Sequence, residues 1–348
     1  MSLSSLPHRT LSADQKRRLL AQILQQKAKQ PATVALSVAQ ERLWFFEQFQ
    51  EGSAVYNIFA PARLIGDLTI SILERSLREV MLRHEALRTT FVLEDGIPVQ
   101  RIVEEPALHL FVEDLLYLPE ELREEEARRL ALKDAQQPFD LQRGPLLRVL
   151  IVRLAEDEHL FLLNIHHIIA DGWSSEIILR ELSALYSAYT RGTELSLPAQ
   201  AVQYSNFVHW QQKRGQVWVD HLEYWRHHLT GAQPLQLPVS QNRPPVMTYR
   251  GGRQWKRLPA EILTQLNRLS QQEGATLYMT VLSAFTILLA RYSGTEDITV
   301  GTPAAGRSRQ EFENVVGFFV NMLALRTNLT GVSSFLEVLR RTRQVVLD

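Results

Sequence analysis

The sequence predicts a mixed α/β protein of two lobes, and three observations carry that prediction. Its 348 residues exceed what one hydrophobic core ordinarily serves. Apolar runs of strand length alternate with amphipathic stretches of helical period along the chain. The grammar also changes near residues 193–205. After "GTELSLPAQ" an aromatic-rich helical region begins, and a similar order of strands and helices follows it. No short-period repeat accompanies this pattern.

Residues 11–30 read as an exposed amphipathic helix, with Ser12 as N-cap and Leu19, Leu20, Ile23 and Leu24 at helical spacing. It is expected to form a linking arm over residues 1–30. A helix over 71–87 follows from the stripe Ile72, Leu73, Leu77, Val80 and Met81. "PLLRVLIVRL" (145–154) and "HLFLLNIHH" (159–167), parted by the turn-prone "AEDE", predict neighbouring antiparallel strands. Ser174 or Ser175 is then expected to cap a helix ending at Gly192. In the later half the pattern predicts helix from 204 to about 229, a strand over 253–258 and helices over 260–273 and 276–291. Strands in "DITVGTP" and "FFVNMLALRTNL" and a last helix from about Ser333 complete it. The expected domains are therefore 31–195 and 196–348. Because the final helix runs to Asp348 with no closing strand, the second lobe is expected to be incomplete.

Composition excludes several function classes. Lys and Arg together number 38, equal to Asp and Glu, so no global field draws in nucleic acid or an anionic membrane. The absence of cysteine removes disulfides, thiolate zinc sites and cysteine nucleophiles. No apolar signal core opens the chain, which makes the cytoplasm the expected location. The most apolar run, "TLYMTVLSAFTILLARY", is marginal for a membrane span and reads as a buried helix.

The sharpest chemical signal is "LLNIHHIIADGWSSEI" (162–177). Consecutive strand residues face opposite sides, so His166 and His167 cannot both enter one cleft. One belongs to the core and the other to a cavity. Asp171 is close enough in sequence to fold back beneath the imidazole. Gly172 permits a turn into a helix N-terminus, whose free N–H groups suit a developing oxyanion. A metal site is disfavoured, since adjacent strand histidines diverge and no cysteine or nearby glutamate completes a tetrahedron. His227-His228, at a helix end before Gly231, has no acid at fixed spacing and reads as a favourable helix-dipole contact.

"HHIIADGWS" closely resembles the HHxxxDG signature of condensation domains from nonribosomal peptide synthetases. Four more segments resemble that family in order: "LSVAQERLWFFEQ" (36–48), "RHEALRTTF" (83–91), "YSNFVHWQQ" (204–212) and "VGFFVNMLALR" (316–326). Departures are Asn206 for the usual Asp, Met322 for Thr and Ala170 for Ser. The family's later HQDxPFE segment is absent.

The resemblance implies two lobes like chloramphenicol acetyltransferase, set in a V around a tunnel. It implies amide formation between two thioesters, each on the phosphopantetheine arm of a carrier domain. The domain is expected to hold no cofactor or metal of its own. Upstream and downstream carrier domains and an adenylation domain are its implied partners, in a monomeric module. His167 is expected to act as general base or as an acceptor orienting the amine. Asp171 is expected to be architectural, paired with Arg307 in "GTPAAGR" so as to pin one lobe to the other. Gly172 either contacts the oxyanion or keeps the tunnel open. His166 is expected to be buried, with Trp173 and Trp210 as core aromatics and Asn321 near the lobe interface. Arg42, Arg83 and Arg88 are expected in structural ion pairs. "EGSAVYNI" and "RTNLTG" resemble the subtype joining two L-residues. His166-His167 argues against heterocyclisation domains, whose signature is aspartate-based, and epimerisation domains carry different flanking segments. A free-standing acyltransferase using a CoA thioester and a non-catalytic carrier-docking domain are the competing readings.

Overall fold

The computed structural model describes residues 32–49, 52–195, 197–238, 247–249 and 251–348. The arm and helix expected within residues 1–30 lie outside them. The chain divides into two compact units. One runs to Gln211 and adds Arg307–Phe319; the other comprises Gln212–Gly306 and Val320–Asp348. The first unit therefore extends past residue 195 and takes in a segment from much later in the chain.

The first unit begins with β1 (Ala32–Ala35), α1 (Val38–Phe49) and β2 (Asn57–Ile65). Then come α2 (Ile70–Arg83), a short 3₁₀ turn (Glu85–Arg88), β3 (Thr89–Glu94), β4 (Ile97–Ile102) and β5 (His109–Asp114). The α2 helix ends earlier than its apolar stripe suggests, because His84 is extended and buried, with Nε2 2.8 Å from Glu181. The unit continues with α3 (Glu120–Ala135), β6 (Leu147–Ala155), β7 (Glu158–His166), α4 (Gly172–Thr190) and α5 (Tyr204–Gln212).

Two sheets form here, β1-β4-β3 and β2-β7-β6-β5. In the larger, β7 lies antiparallel between β2 and β6, with Asn57 opposite His166 and Leu147 opposite Ile165. The continuous apolar run Val149–Val152 within β6 is the signature of a strand covered on both faces. On one face α3 packs Ala127, Leu130 and Ala131 over Leu150, Val152 and Leu162. The alternate β7 residue, Phe161, meets Leu73 of α2 and Leu182 of α4 around a cavity of about 340 Å³. The histidine pair thus sits at the end of a central, doubly covered strand.

The second unit contains α6 (Gly215–Leu229), α7 (Ala260–Gln272), α8 (Leu277–Ser293), β8 (Asp297–Ala304), β9 (Asn321–Asn328) and α9 (Phe335–Leu347). β8 and β9 pair antiparallel, and Ile298, Leu329 and Val338 centre its core. The strand expected over 253–258 does not form. Among the described residues no strand pairs with it, and Trp255 is exposed. The apolar run over α8 is not a wholly buried helix. Met279, Leu282 and Thr286 are buried, whereas Tyr278, Val281, Phe285, Leu288 and Tyr292 are exposed. Among the described residues no single helix is long and apolar enough to cross a membrane.

Arg326 organises this unit. Its Nε and Nη2 reach Asp297 Oδ1 and Oδ2 at 2.9 and 2.7 Å, and its Nη1 holds the carbonyls of His228 and Thr230. Hydrogen bonding to Arg326 keeps the Asp297 carboxyl below the usual carboxylate range, against the upward push of partial burial. A folded-state value below the unfolded one stabilises the fold above about pH 4, and that stability is lost as pH falls through the folded value. Urea titrations at neutral and acid pH are expected to show Asp297→Asn less stable by up to about 1 kcal/mol near neutrality. The variant should lose part of the acid-side slope. An unchanged slope would dissociate the pair from stability.

Candidate functional site

β7 ends at His166, and the chain turns sharply through His167–Ala170 before α4 begins. His166 is 1% exposed; its neighbour is only partly buried. The His167 N–H donates to the Tyr56 carbonyl at 2.7 Å, and Ile169 N–H donates to His166 O at 3.1 Å. These bonds close the turn.

Each ring has a definite tautomer. His166 Nδ1 lies 3.1 Å from the Ile168 backbone N–H, so it accepts, leaving the proton on Nε2, 3.3 Å from Glu47. His167 Nδ1 lies 2.9 Å from the Ala170 carbonyl, which can only accept. In the neutral ring the His167 proton therefore resides on Nδ1, and among the described residues no hydrogen bond engages Nε2. The Phe318 ring meets the imidazole edge-on at 4.9 Å between centroids.

The Asp171 carboxylate binds partners other than that imidazole. It is fully buried and taken by five donors. Ser174 N and Oγ and Arg307 Nη2 reach Oδ1 at 2.8, 2.7 and 3.1 Å. Arg307 Nη1 and Phe319 N–H reach Oδ2 at 2.7 and 3.2 Å. Asp171, rather than Ser174 or Ser175, is the N-cap of α4. Ser174, the third helical residue, instead binds Asp171, Arg307 and the Gly317 backbone. Arg307 belongs to the first unit, so its ion pair binds the returning segment 307–319 into that unit and does not join the two. The physical cause is that this segment carries Phe312, Phe318 and Phe319 into the unit's aromatic core.

Gly172 is exposed at the first position of α4, where helix geometry leaves backbone N–H groups without an internal partner. Trp173 is not a core aromatic: it is 46% exposed, donates Nε1–H to Glu313 O at 2.9 Å, and stands 5.5 Å from the Arg307 guanidinium. Trp210 stacks on Phe207 beside Phe312. Asn321 opens β9 opposite Ala304 in the second unit. Arg83 pairs with Glu181, while Arg88 donates to the Val103 carbonyl. Among the described residues no group of three His, Asp or Glu side chains is placed to hold a metal ion.

Sequence reading missed Tyr204 and Gly317. Tyr204 is buried; its hydroxyl donates to Phe318 O at 2.6 Å and meets Ser37 Oγ at 2.8 Å. Burial pushes its phenol well above the usual range, which keeps it a donor. A Cβ on Gly317 would come within 2.0 Å of the Tyr204 ring, so only glycine allows this approach. Gly317→Ala is expected to cost about 1–3 kcal/mol by overpacking, read as a lowered urea midpoint. An unchanged midpoint would show that the ring can retreat freely.

A model of the condensation domain family matches residues 30–348. The chain belongs to that family. A linear gramicidin synthase chain of Brevibacillus parabrevis is 49% identical over 320 residues, which cover 91% of this chain and 6% of that synthase. Among solved structures, the X-domain of teicoplanin biosynthesis in complex with OxyB is 29% identical. The match has a TM-score of 0.80 and covers 91% of this chain and 70% of that one. The first condensation domain of the CDA synthetase matches with a TM-score of 0.74 at 24% identity, over 91% of this chain and 75% of its own. That likeness speaks to the fold, a mixed α/β condensation domain architecture. The chain thus spans a small fraction of the synthase it resembles.

Proposed function

We propose that this condensation domain joins two carrier-bound substrates by an amide bond. The acceptor's amine nitrogen attacks the donor thioester carbonyl. The new C–N bond forms, the C–S bond breaks, and the donor's phosphopantetheine thiol departs. The proton lost by nitrogen ends on the leaving sulfur, by way of His167 Nε2 where that ring serves as the base. The observation that carries this reading is the fixed tautomer of His167, with Nδ1 bound to Ala170 and no hydrogen bond on Nε2 among the described residues.

An amine and a thioester are already a reactive pair, so placement supplies much of the rate. His167 serves as general base or as the acceptor that orients the amine. Gly172, at the exposed start of α4, is assigned to the developing oxyanion. Asp171 and Arg307 hold the loop, and Trp173 braces the returning segment. Upstream and downstream carriers, with an adenylation domain, are the proposed partners, and two L-residues the proposed substrates. The test supplies the chain with two loaded carriers and detects the carrier-bound amide by mass spectrometry. Amide that requires both carriers supports the reading. Equal turnover of a CoA thioester and a free amine would favour the free-standing acyltransferase, and carrier binding without product would favour a docking role.

A further inference from the structure

We propose that Glu47, a buried carboxylate of α1, is a positioning residue that fixes the reactive geometry of His167 through His166. The inference rests on the reading of His167 as the reacting histidine. Glu47 is only 9% exposed, and its Oε1 lies 3.3 Å from His166 Nε2. Carboxylates are rarely buried without a compensating partner. Here the partner is a ring in the heart of the signature motif.

The consequence runs through hydrogen-bond polarity. Glu47 can only accept, so it draws the His166 proton to Nε2. His166 Nδ1 is then free to accept from the Ile168 N–H at 3.1 Å. That bond holds the first peptide of the turn whose last member, Ala170, presents its carbonyl to His167 Nδ1. With the opposite tautomer, His166 Nδ1–H would face the Ile168 N–H, two donors in contact. The turn would have to open, and the Ala170 carbonyl would no longer fix the proton of His167. The ring cannot escape sideways, because Tyr56 and Phe139 flank it at centroid distances of 6.3 and 6.2 Å. Tyr56 also supplies the carbonyl that anchors the His167 amide.

Glu47 also lines a cavity of about 510 Å³ with Trp44, Phe139 and Arg143. Substitutions at 47 therefore have room and need not overpack the core.

The test pairs Glu47→Leu with Glu47→Gln in the full chain. ¹⁵N-histidine NMR reports ring tautomers without turnover, and condensation kinetics with loaded carriers report function. Glu47→Leu should lose the single Nε2–H form of His166 and the Nδ1–H form of His167. Its kcat should fall about 10- to 100-fold through misplacement of the reacting group, with acceptor KM little changed. Glu47→Gln, whose amide oxygen still accepts from Nε2–H, should recover both tautomers and most of the rate. Wild-type tautomers in folded Glu47→Leu would overturn the proposal. So would altered tautomers with an unchanged kcat, or Glu47→Gln as slow as Glu47→Leu. If the unsubstituted chain forms no amide, the functional reading fails, while the tautomer measurement still decides the role of Glu47.

Discussion

Replacing His167 by alanine is expected to lower the kcat of condensation by about 10²- to 10⁴-fold. The size of the effect follows from how little else is available at that point. The turn commits His167 Nδ1 to Ala170, so Nε2 is the one ring atom left for substrate. His166 cannot substitute, since both its nitrogens are engaged within the core. Asp171 cannot either, because its oxygens are saturated by five donors. A second variant separates the two roles of the ring. In His167→Gln the amide oxygen can accept a hydrogen bond but cannot take up a proton. Substantial activity in His167→Gln, with almost none in His167→Ala, would identify orientation of the amine as the main contribution. Equal loss in both would identify proton transfer. Near-normal turnover by His167→Ala would sink the assignment altogether.

Asp171→Ala should be the most destabilising single change at the site. Asp171 and Arg307 form a bidentate pair whose side chains are 1% and 2% exposed. Removing the acid leaves a guanidinium buried between Phe319, at 4.1 Å, and the carbonyl of Val315. Breaking one side of such a pair costs about 3–5 kcal/mol, because the surviving charge is left uncompensated. The change also removes the cap of α4, a contribution of about 1 kcal/mol. The double variant Asp171→Ala/Arg307→Met should be less destabilised than the sum of the single variants. A coupling energy near zero in a denaturation cycle would show that the two charges act independently. Turnover should fall with stability, since the same carboxylate fixes both the helix start after the histidine turn and the backbone of Phe319, next to the ring that packs on His167.

Much of this architecture is legible in the sequence. The apolar runs over 145–154 and 159–167 give adjacent antiparallel strands because both faces of β6 and β7 are covered. The burial of His166 follows from its place at the end of a covered strand, whereas His167 already lies in the turn, where strand alternation no longer decides its direction. The helix boundaries are less legible where a long-range contact intervenes. His84 ends α2 through a bond to Glu181, 97 residues away. The cap of α4 is ambiguous locally, because "DGWSS" offers three capping residues. The choice of Asp171 reflects Arg307 and Phe319, which no local pattern reveals. The strand expected over 253–258 has only Trp255 and Leu258 as apolar residues, three apart and off the period of two, and it finds no neighbouring strand among the described residues. Glu47 and Gly317 escaped notice for a similar reason. Their significance lies in a ring 119 residues distant and in the approach of Tyr204.

The discontinuity of the first unit has a consequence for how the chain is made. Arg307 follows Asp171 by 136 residues. At about 5–20 residues per second, ribosomal synthesis separates the two by roughly 7–27 s. During that interval the nascent chain has its histidine turn but not the guanidinium that neutralises the adjoining carboxylate. Burying that carboxylate unpaired is unfavourable, so the site should stay open to water until the returning segment emerges. The order of synthesis thereby makes the reactive histidine's surroundings one of the last parts of this unit to mature.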